Sequence, residues 1–382
     1  MYPMPTPSQP QTAPSARTQA RKAPRKKKRH PFVRILTRTA LTGFVLAGGF
    51  AIWFYLTPWG TQYRNIMVDT LITTQHRHWG KYLVGEAELK KRVDAYWKRF
   101  DEYAETPIVQ EPVIPAAADV QPEQVKKELL EVEEVEGKGA YGYYKGYILH
   151  VRDPKKLRIV VPGKVDKGEK VSAMVKRTGA LAGVNGGGFA DPEWKGNGFQ
   201  PAGIVMSGGK IFYLDADKTT KLHVVGIDAD GKMIAGKYSA EELLKMNMSE
   251  AVTFSPRFIV NGEGQIKNAA DGWGVAPRTA MAQTADGTIM FAIIDGRQTH
   301  SIGVTLYEIQ QLFLERGAII AANLDGGSST VLVKDNQIIN KPSSEYGERY
   351  LPTAWLAFDD PAITIKNIWE GIDISTIDPS KW

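Results

Sequence analysis

Three glycine-flanked segments hold the residue types that could do chemistry. Gly183-Val-Asn-Gly-Gly-Gly-Phe189 ends an apolar run at Asn185, Gly186 and Gly187. Successive glycines let a ligand approach the backbone closely and can aim N–H groups at an anion, although a tight turn has the same composition. The Gly-Lys-Ser/Thr ending of a phosphate-binding P-loop is missing, so nucleoside triphosphate binding finds no support. In Ala276-Pro-Arg-Thr-Ala-Met281, Arg278 follows a proline, and a guanidinium suits planar recognition of phosphate or carboxylate. The apolar run Met290–Ile294 then delivers Asp295, followed by Gly296, Arg297 and, five residues after the acid, His300. An Asp at a strand end beside glycine is either a turn former or a catalytic carboxylate. The third segment, Ala321 to Thr330, presents Asp325 and then Gly326, Gly327, Ser328 and Ser329.

Each segment alone reads equally well as structure. Together they repeat one design, polar groups at strand ends with glycines that open space, and so point to one composite site. Two carboxylates, guanidinium groups, an amide and backbone donors suit a sugar that bears a phosphate. Cleaving such a bond needs an acid, a base or nucleophile, and positive charge for the phosphate.

The ordered series NGGGF, PRTA, IDGRQ with S-GVTL-E, and NLDGGSS resembles the phosphodiester glycosidase family over roughly residues 140–360. The resemblance implies cleavage between a sugar's anomeric carbon and a phosphodiester, with Asn185, Arg278, Asp295, Arg297, Asp325 and Ser328 lining the site. It departs from the family pattern at two places. A third glycine stands in NGGGF where the family has a second aromatic residue, and DGGS has two glycines where three are common. Both changes bear on the substrate rather than the fold. On this reading Arg278, with the glycine-loop N–H groups, binds phosphate. Asp295 and Asp325 share the acid and base or nucleophile roles in an unassigned order, and Asn185 and Ser328 hold sugar hydroxyls. His300 is the alternative acid.

Other classes find less support. No cysteine is present, which excludes disulfides and thiolate chemistry. There is no Ser-His-Asp order and no His-Glu-x-x-His motif. No cofactor is expected; Ca²⁺ or Mg²⁺ on clustered carboxylates is a minor option without an EF-hand loop. His76 and His78 read as solvated. The competing class is a glycan-binding or scaffold protein on the same fold that lacks turnover.

The elements that must position these residues are strands. From about Gly137, short β-rich runs alternate with glycine turns, including Asp-Gly at 230–231 and 286–287 and Asn-Gly at 261–262. SAMVKRTGALAGVNGG is read among these strands. Two helices are expected, Ser239–Asn247 behind a Ser cap and Thr305–Arg316 closed by Gly317. The fold class is therefore α+β, with a mixed or antiparallel sheet and few helices, spanning 137–360 and followed by a C-terminal extension, 361–382.

The chain's net charge of +6 is misleading as an average. Residues 1–38 hold ten Lys or Arg and no acid, so the remaining 344 residues carry −4, the difference between +6 and +10. A nucleic-acid-binding domain would keep its positive charge on the folded part. The basic tail, 1–38, instead precedes 19 uncharged residues, 39–57, long enough as a helix to span roughly 28 Å of hydrocarbon. Trp53, Tyr55 and Trp59 mark one interface, and the basic side stays cytoplasmic. The expectation is a single-pass protein held to membrane lipid by one uncleaved helix, with its catalytic part outside. Gly48-Gly49 would permit close helix packing without specifying an oligomer. Residues 58–136 are expected to form a stalk: a helical face at Leu89, Val93, Tyr96, Trp97 and Phe100, a Pro-rich linker, and an acidic helix in KKELLEVEEVEG.

Overall fold

The computed structural model describes residues 31–72, 74–114, 128–192 and 196–381. The tail up to residue 30 and residues 115–127, which end the Pro-rich linker and begin the acidic stretch, lie outside the described residues. The chain divides into two compact units, Met1–Gly60 and Thr61–Trp382. The first holds helix α1, Pro31–Leu56, which starts eight residues before the uncharged run and exposes Phe44, Leu46 and Phe50. By length and composition it is able to cross a membrane. Helix α2, Pro58–Ile72, follows.

The second unit is built from strands, and the expected α+β class holds. Its largest sheet has the order β1-β2-β13-β12-β14-β10-β11, all antiparallel. These strands are Leu130–Gly139, Gly142–Val151, Ile289–Ile294, Arg278–Thr284, Ala318–Asn323, Arg257–Val260 and Glu263–Gly264. A second sheet has the order β16-β15-β4-β17-β3, comprising Gln337–Ile338, Leu332–Lys334, Ala182–Asn185, Ala354–Ala357 and Leu157–Val160. The third, β6-β5-β9-β7-β8, comprises Lys210–Leu214, Ile204–Ser207, Met248–Thr253, Leu222–Asp228 and Met233–Tyr238.

Strand β13 reads IMFAII without polar alternation because both its faces are covered. Ile289, Phe291 and Ile293 point into a core shared with the other two sheets; Met290, Ala292 and Ile294 point into a helical layer. That layer holds α7, Leu306–Leu314, and α4, Glu86–Glu105, preceded by the short α3, Lys81–Val84. Helix α7 places Leu306, Ile309 and Phe313 on its buried face, and Thr305 with Glu308 forms a capping box at its start. The other expected helix is α6, Ala240–Lys245, opened by a Ser239–Glu242 capping box.

Three expectations give way. Where it is described, the acidic stretch KKELLEVEEVEG is not a helix: Leu130–Gly139 pairs with β2 in a hairpin of two ten-residue strands. Its glutamates suggested a polar helix, but they form an edge strand whose Glu131 and Glu133 meet Arg152 and Arg316. SAMVKRTGALAGVNGG is not all strand. Helix α5, Val171–Thr178, buries Val171, Met174 and Val175 at helical spacing and stops at Gly179, which takes φ +74°. Nor do residues 61–114 stand off as a stalk. Phe100 of α4 is 2% exposed and packs with Tyr96 and Tyr103 around Trp273. Arg257 donates to the carbonyls of Tyr103 and Thr106, and Asn261 Oδ1 accepts from Val109 and Gln110 N–H. The C-terminal extension also docks: Ile368 and Trp369 are buried, and Trp369 Nε1 donates to the Phe199 carbonyl.

Candidate active site

Antiparallel pairing brings the chemical segments together. Arg278 lies opposite Ile294, and Ala280 lies opposite Asn323. The start of β12 therefore meets the ends of β13 and β14, while Asn185 at the end of β4 meets the start of β17. At this junction lies a cleft of about 890 Å³. Its lining includes Arg278, Arg297, Asn323, Asp325, Gly326, Gly327, Ser328, Ser329 and Arg349.

Asp325 is the carboxylate at the centre of this group. Its main chain is fixed from both sides: its N–H donates to Gly186 O (3.3 Å), and its carbonyl accepts from Asn185 Nδ2 (2.5 Å). Its Oδ2 is buried without a hydrogen-bond partner among the described residues. Burial pushes its pKa up to about 6, opposed by the Ser329 hydroxyl and the Arg349 guanidinium. Two residues earlier, at the end of β14, Asn323 Oδ1 is likewise buried without a partner among the described residues, while its Nδ2 donates to Ser255 O (3.1 Å). Two unmet acceptors side by side in a cleft suit a ligand that brings hydroxyl donors.

The cations differ in what they already hold. Arg297 extends from a left-handed residue (φ +57°), and its guanidinium has no hydrogen bond or ion pair among the described residues. Its side chain is exposed by area, yet the surrounding atoms still lower its pKa. Arg349 donates to Asp191 Oδ2 (2.8 Å) and Ser328 Oγ (3.4 Å), with its guanidinium carbon 5.0 Å from the Phe189 ring. Arg278 is nearly buried and donates to Trp273 O (2.6 Å), Gly274 O (3.0 Å) and Val304 O (3.5 Å). Burial lowers its pKa to about 10, so it stays charged, but its hydrogen bonds hold backbone rather than reach out for phosphate.

Several expected roles are reassigned by geometry. Asp295, 4% exposed, accepts from Asn340 Nδ2 (2.9 Å), Lys341 N–H (3.1 Å) and His300 Nε2 (3.0 Å). Neither Asp295 nor His300 is part of the cleft lining. A carboxylate bonded in this way through both oxygens, outside the cleft lining, clamps two loops together. Asn185 is fully buried. It accepts from Thr279 Oγ1 (2.9 Å) and Val331 N–H (3.1 Å), and it braces three segments rather than touching sugar. The N–H groups of Gly186 and Gly187 go to Thr353 O and Thr353 Oγ1, so they cradle no anion. Gly187 is needed for space: a Cβ there would lie 2.7 Å from Val252. Among the described residues no group of three or more His, Asp or Glu gathers to hold a metal.

Reading the sequence missed Asn323, Asp191 and Arg349. The place of Asn323 in the same NLDGGSS motif as Asp325 was a usable signal. Arg349 and Asp191 sit in irregular loops that only tertiary folding unites.

These features define an α+β, sheet-rich domain with a cation-lined cleft where the strand ends converge. Residues 178–358, just under half of the chain, match the family model described as phosphodiester glycosidase. It is 28% identical over 218 residues to the SPbeta prophage-derived uncharacterized protein YomE of Bacillus subtilis, covering 54% of this chain and 33% of that protein. It is 25% identical over 228 residues to mouse N-acetylglucosamine-1-phosphodiester alpha-N-acetylglucosaminidase, covering 52% of this chain and 41% of the enzyme. The alignments thus span well under half of these relatives. The catalytic domain of the zebrafish enzyme of the same name superposes with a TM-score of 0.52 at 21% identity, over 68% of this chain and 97% of that one, which shows the shared fold.

Proposed function

We propose that this protein is a membrane-anchored hydrolase that cleaves sugar-1-phosphodiester bonds in a glycan outside the cytoplasm. The observation that carries this reading is the buried oxygen of Asp325, unpartnered among the described residues, in a cleft also lined by the Arg297 guanidinium. The family match over residues 178–358 favours the bond type, and the mouse enzyme's name makes an α-N-acetylglucosaminyl phosphodiester the first substrate to try. Helix α1 beside ten basic residues favours an anchor with a cytoplasmic N-terminus.

In the proposed reaction, water attacks the anomeric carbon and Asp325 takes its proton. The carbon–oxygen bond to phosphate breaks with its electron pair, leaving a free sugar and a phosphate monoester. Because that leaving group is already a stable anion, its departure calls for positive charge more than for a proton. Arg297 would supply that charge at the phosphate, with Arg278 and Arg349 adding field. Asn323 Oδ1 and Ser328 would hold sugar hydroxyls.

The test is full-length protein in detergent, incubated with the phosphodiester and assayed for released sugar. Asp325→Asn should lower kcat by roughly 10²–10⁴-fold while binding persists, and Arg297→Ala should raise KM. Sugar binding without release across a panel of sugar phosphodiesters would favour the non-catalytic glycan-binding alternative.

A further inference from the structure

The cleft is longer than its reactive end. Its other wall comes from residues that precede the family-matched stretch 178–358: Thr74, Arg77, Tyr96, Trp97 and Phe100. Tyr96 and Phe100 are explained by packing, since both join the aromatic seam around Trp273. Trp97 is not. It is 47% exposed, and the helical layer closes without it. Yet its ring is fixed edge-on against Tyr96 (5.2 Å, 84°) and Phe100 (5.5 Å, 84°). The Arg77 guanidinium carbon stands 5.9 Å from the Trp97 ring centroid. Arg77 Nε is anchored on Ile72 O (2.9 Å), and Arg77 has no ion-pair partner among the described residues. The other cations on this side are committed, Lys221 to Glu242 (3.0 Å) and Lys237 to Asp101 (2.9 Å).

From this arrangement we infer that Trp97 and Arg77 form a second subsite, which binds an anionic sugar unit of an extended glycan on the phosphate's far side. A broad, immobilised indole face packs against the C–H face of a pyranose, and a sugar's hydroxyl rim stays wet in an open cleft. The guanidinium beside it accepts a phosphate or carboxylate in a planar, bidentate way. A lipid tail would want an apolar trough, whereas this wall joins one exposed ring to uncommitted positive charge. The inference rests on the proposed reaction for the direction of the substrate, and it names the substrate class as an oligosaccharide rather than a small sugar phosphodiester. It also separates two tasks along the chain: residues 178–358 carry the reactive end, and the preceding helix carries the choice of glycan. Binding energy gained at a remote sugar can be used to position the reacting bond.

The experiment compares two probes on the full-length protein: the sugar phosphodiester of a methyl group and that of an anionic disaccharide. The readout is the ratio of kcat/KM for the disaccharide over the methyl probe. Trp97→Ala and Arg77→Ala should each lower this ratio tenfold or more, and Trp97→Tyr should restore most of it. A ratio within twofold of wild type in both alanine variants, with folding verified by circular dichroism, overturns the subsite. If the wild type hydrolyses neither probe, the proposed reaction fails on that result alone. The ratio is then read as relative affinity by calorimetry, with the same tenfold and twofold outcomes deciding the subsite.

Discussion

Asp325 weakens the fold at neutral pH. Its pKa is raised from 3.8 to about 6 by burial, so the unfolded chain gives up this proton more readily than the folded one. Between about pH 4 and 6 the unfolded state binds fewer protons, and stability falls as pH rises; above 6 the loss is complete. Asp325→Asn should therefore raise stability by roughly 1–3 kcal/mol at pH 7, with the gain vanishing as pH approaches 4, measurable as a shift in Tm. The same pKa predicts that kcat/KM climbs through about pH 6 to a plateau, as a base must be ionised to act. A rate that falls over that interval would assign Asp325 the acid's role instead. Arg278 should behave oppositely to Arg297. Arg278→Met leaves the carbonyls of Trp273 and Gly274 bare and should cost roughly 2–4 kcal/mol of stability, read from denaturant midpoints.

The elements were legible where local chemistry decides them. Asn261-Gly262 turns β10 into β11, Asp286-Gly287 lies between β12 and β13, and the Ser239 cap marks a real helix start. They were misread where partners decide. The glutamates of β1 are paid for by arginines and a lysine elsewhere, and α5 is too short for its period to stand out from neighbouring strands. The site was legible in part for the same reason. Asp325 and Arg297 stand where the motifs suggested, but Asp295, also an acid followed by glycine, is instead hydrogen-bonded by Asn340, Lys341 and His300 outside the cleft lining. Helix α4 illustrates the point energetically. Phe100→Ala removes a ring buried against Trp273 and should cost about 3–5 kcal/mol, which equilibrium unfolding would show; a free-standing stalk would give no such loss.

At the scale of the molecule, charge is partitioned. The tail carries +10, and the rest of the chain is acidic on balance, yet the cleft lining holds six Lys or Arg against two Asp. A positive cleft in an acidic body concentrates anions at one place and turns them away elsewhere. Raising salt from about 50 to 500 mM should therefore raise KM for a phosphodiester substrate several-fold with little change in kcat, because screening shortens the range of that field.

Strand β17, Ala354–Ala357, lies between β4 and β3, so the second sheet has no continuous middle until residue 357 is in place. Asn197 adds a later requirement, since its N–H donates to Pro379 O and its Nδ2 to Lys381 O. Ribosomes deliver the N-terminus first. The second sheet must accordingly wait, open along one side of β4, until residues 354–357 are made. In a nascent chain arrested before residue 354, the strands Leu157–Val160 and Ala182–Asn185 should stay unpaired with each other and protease-sensitive, whereas the third sheet, complete by Thr253, should be protected first.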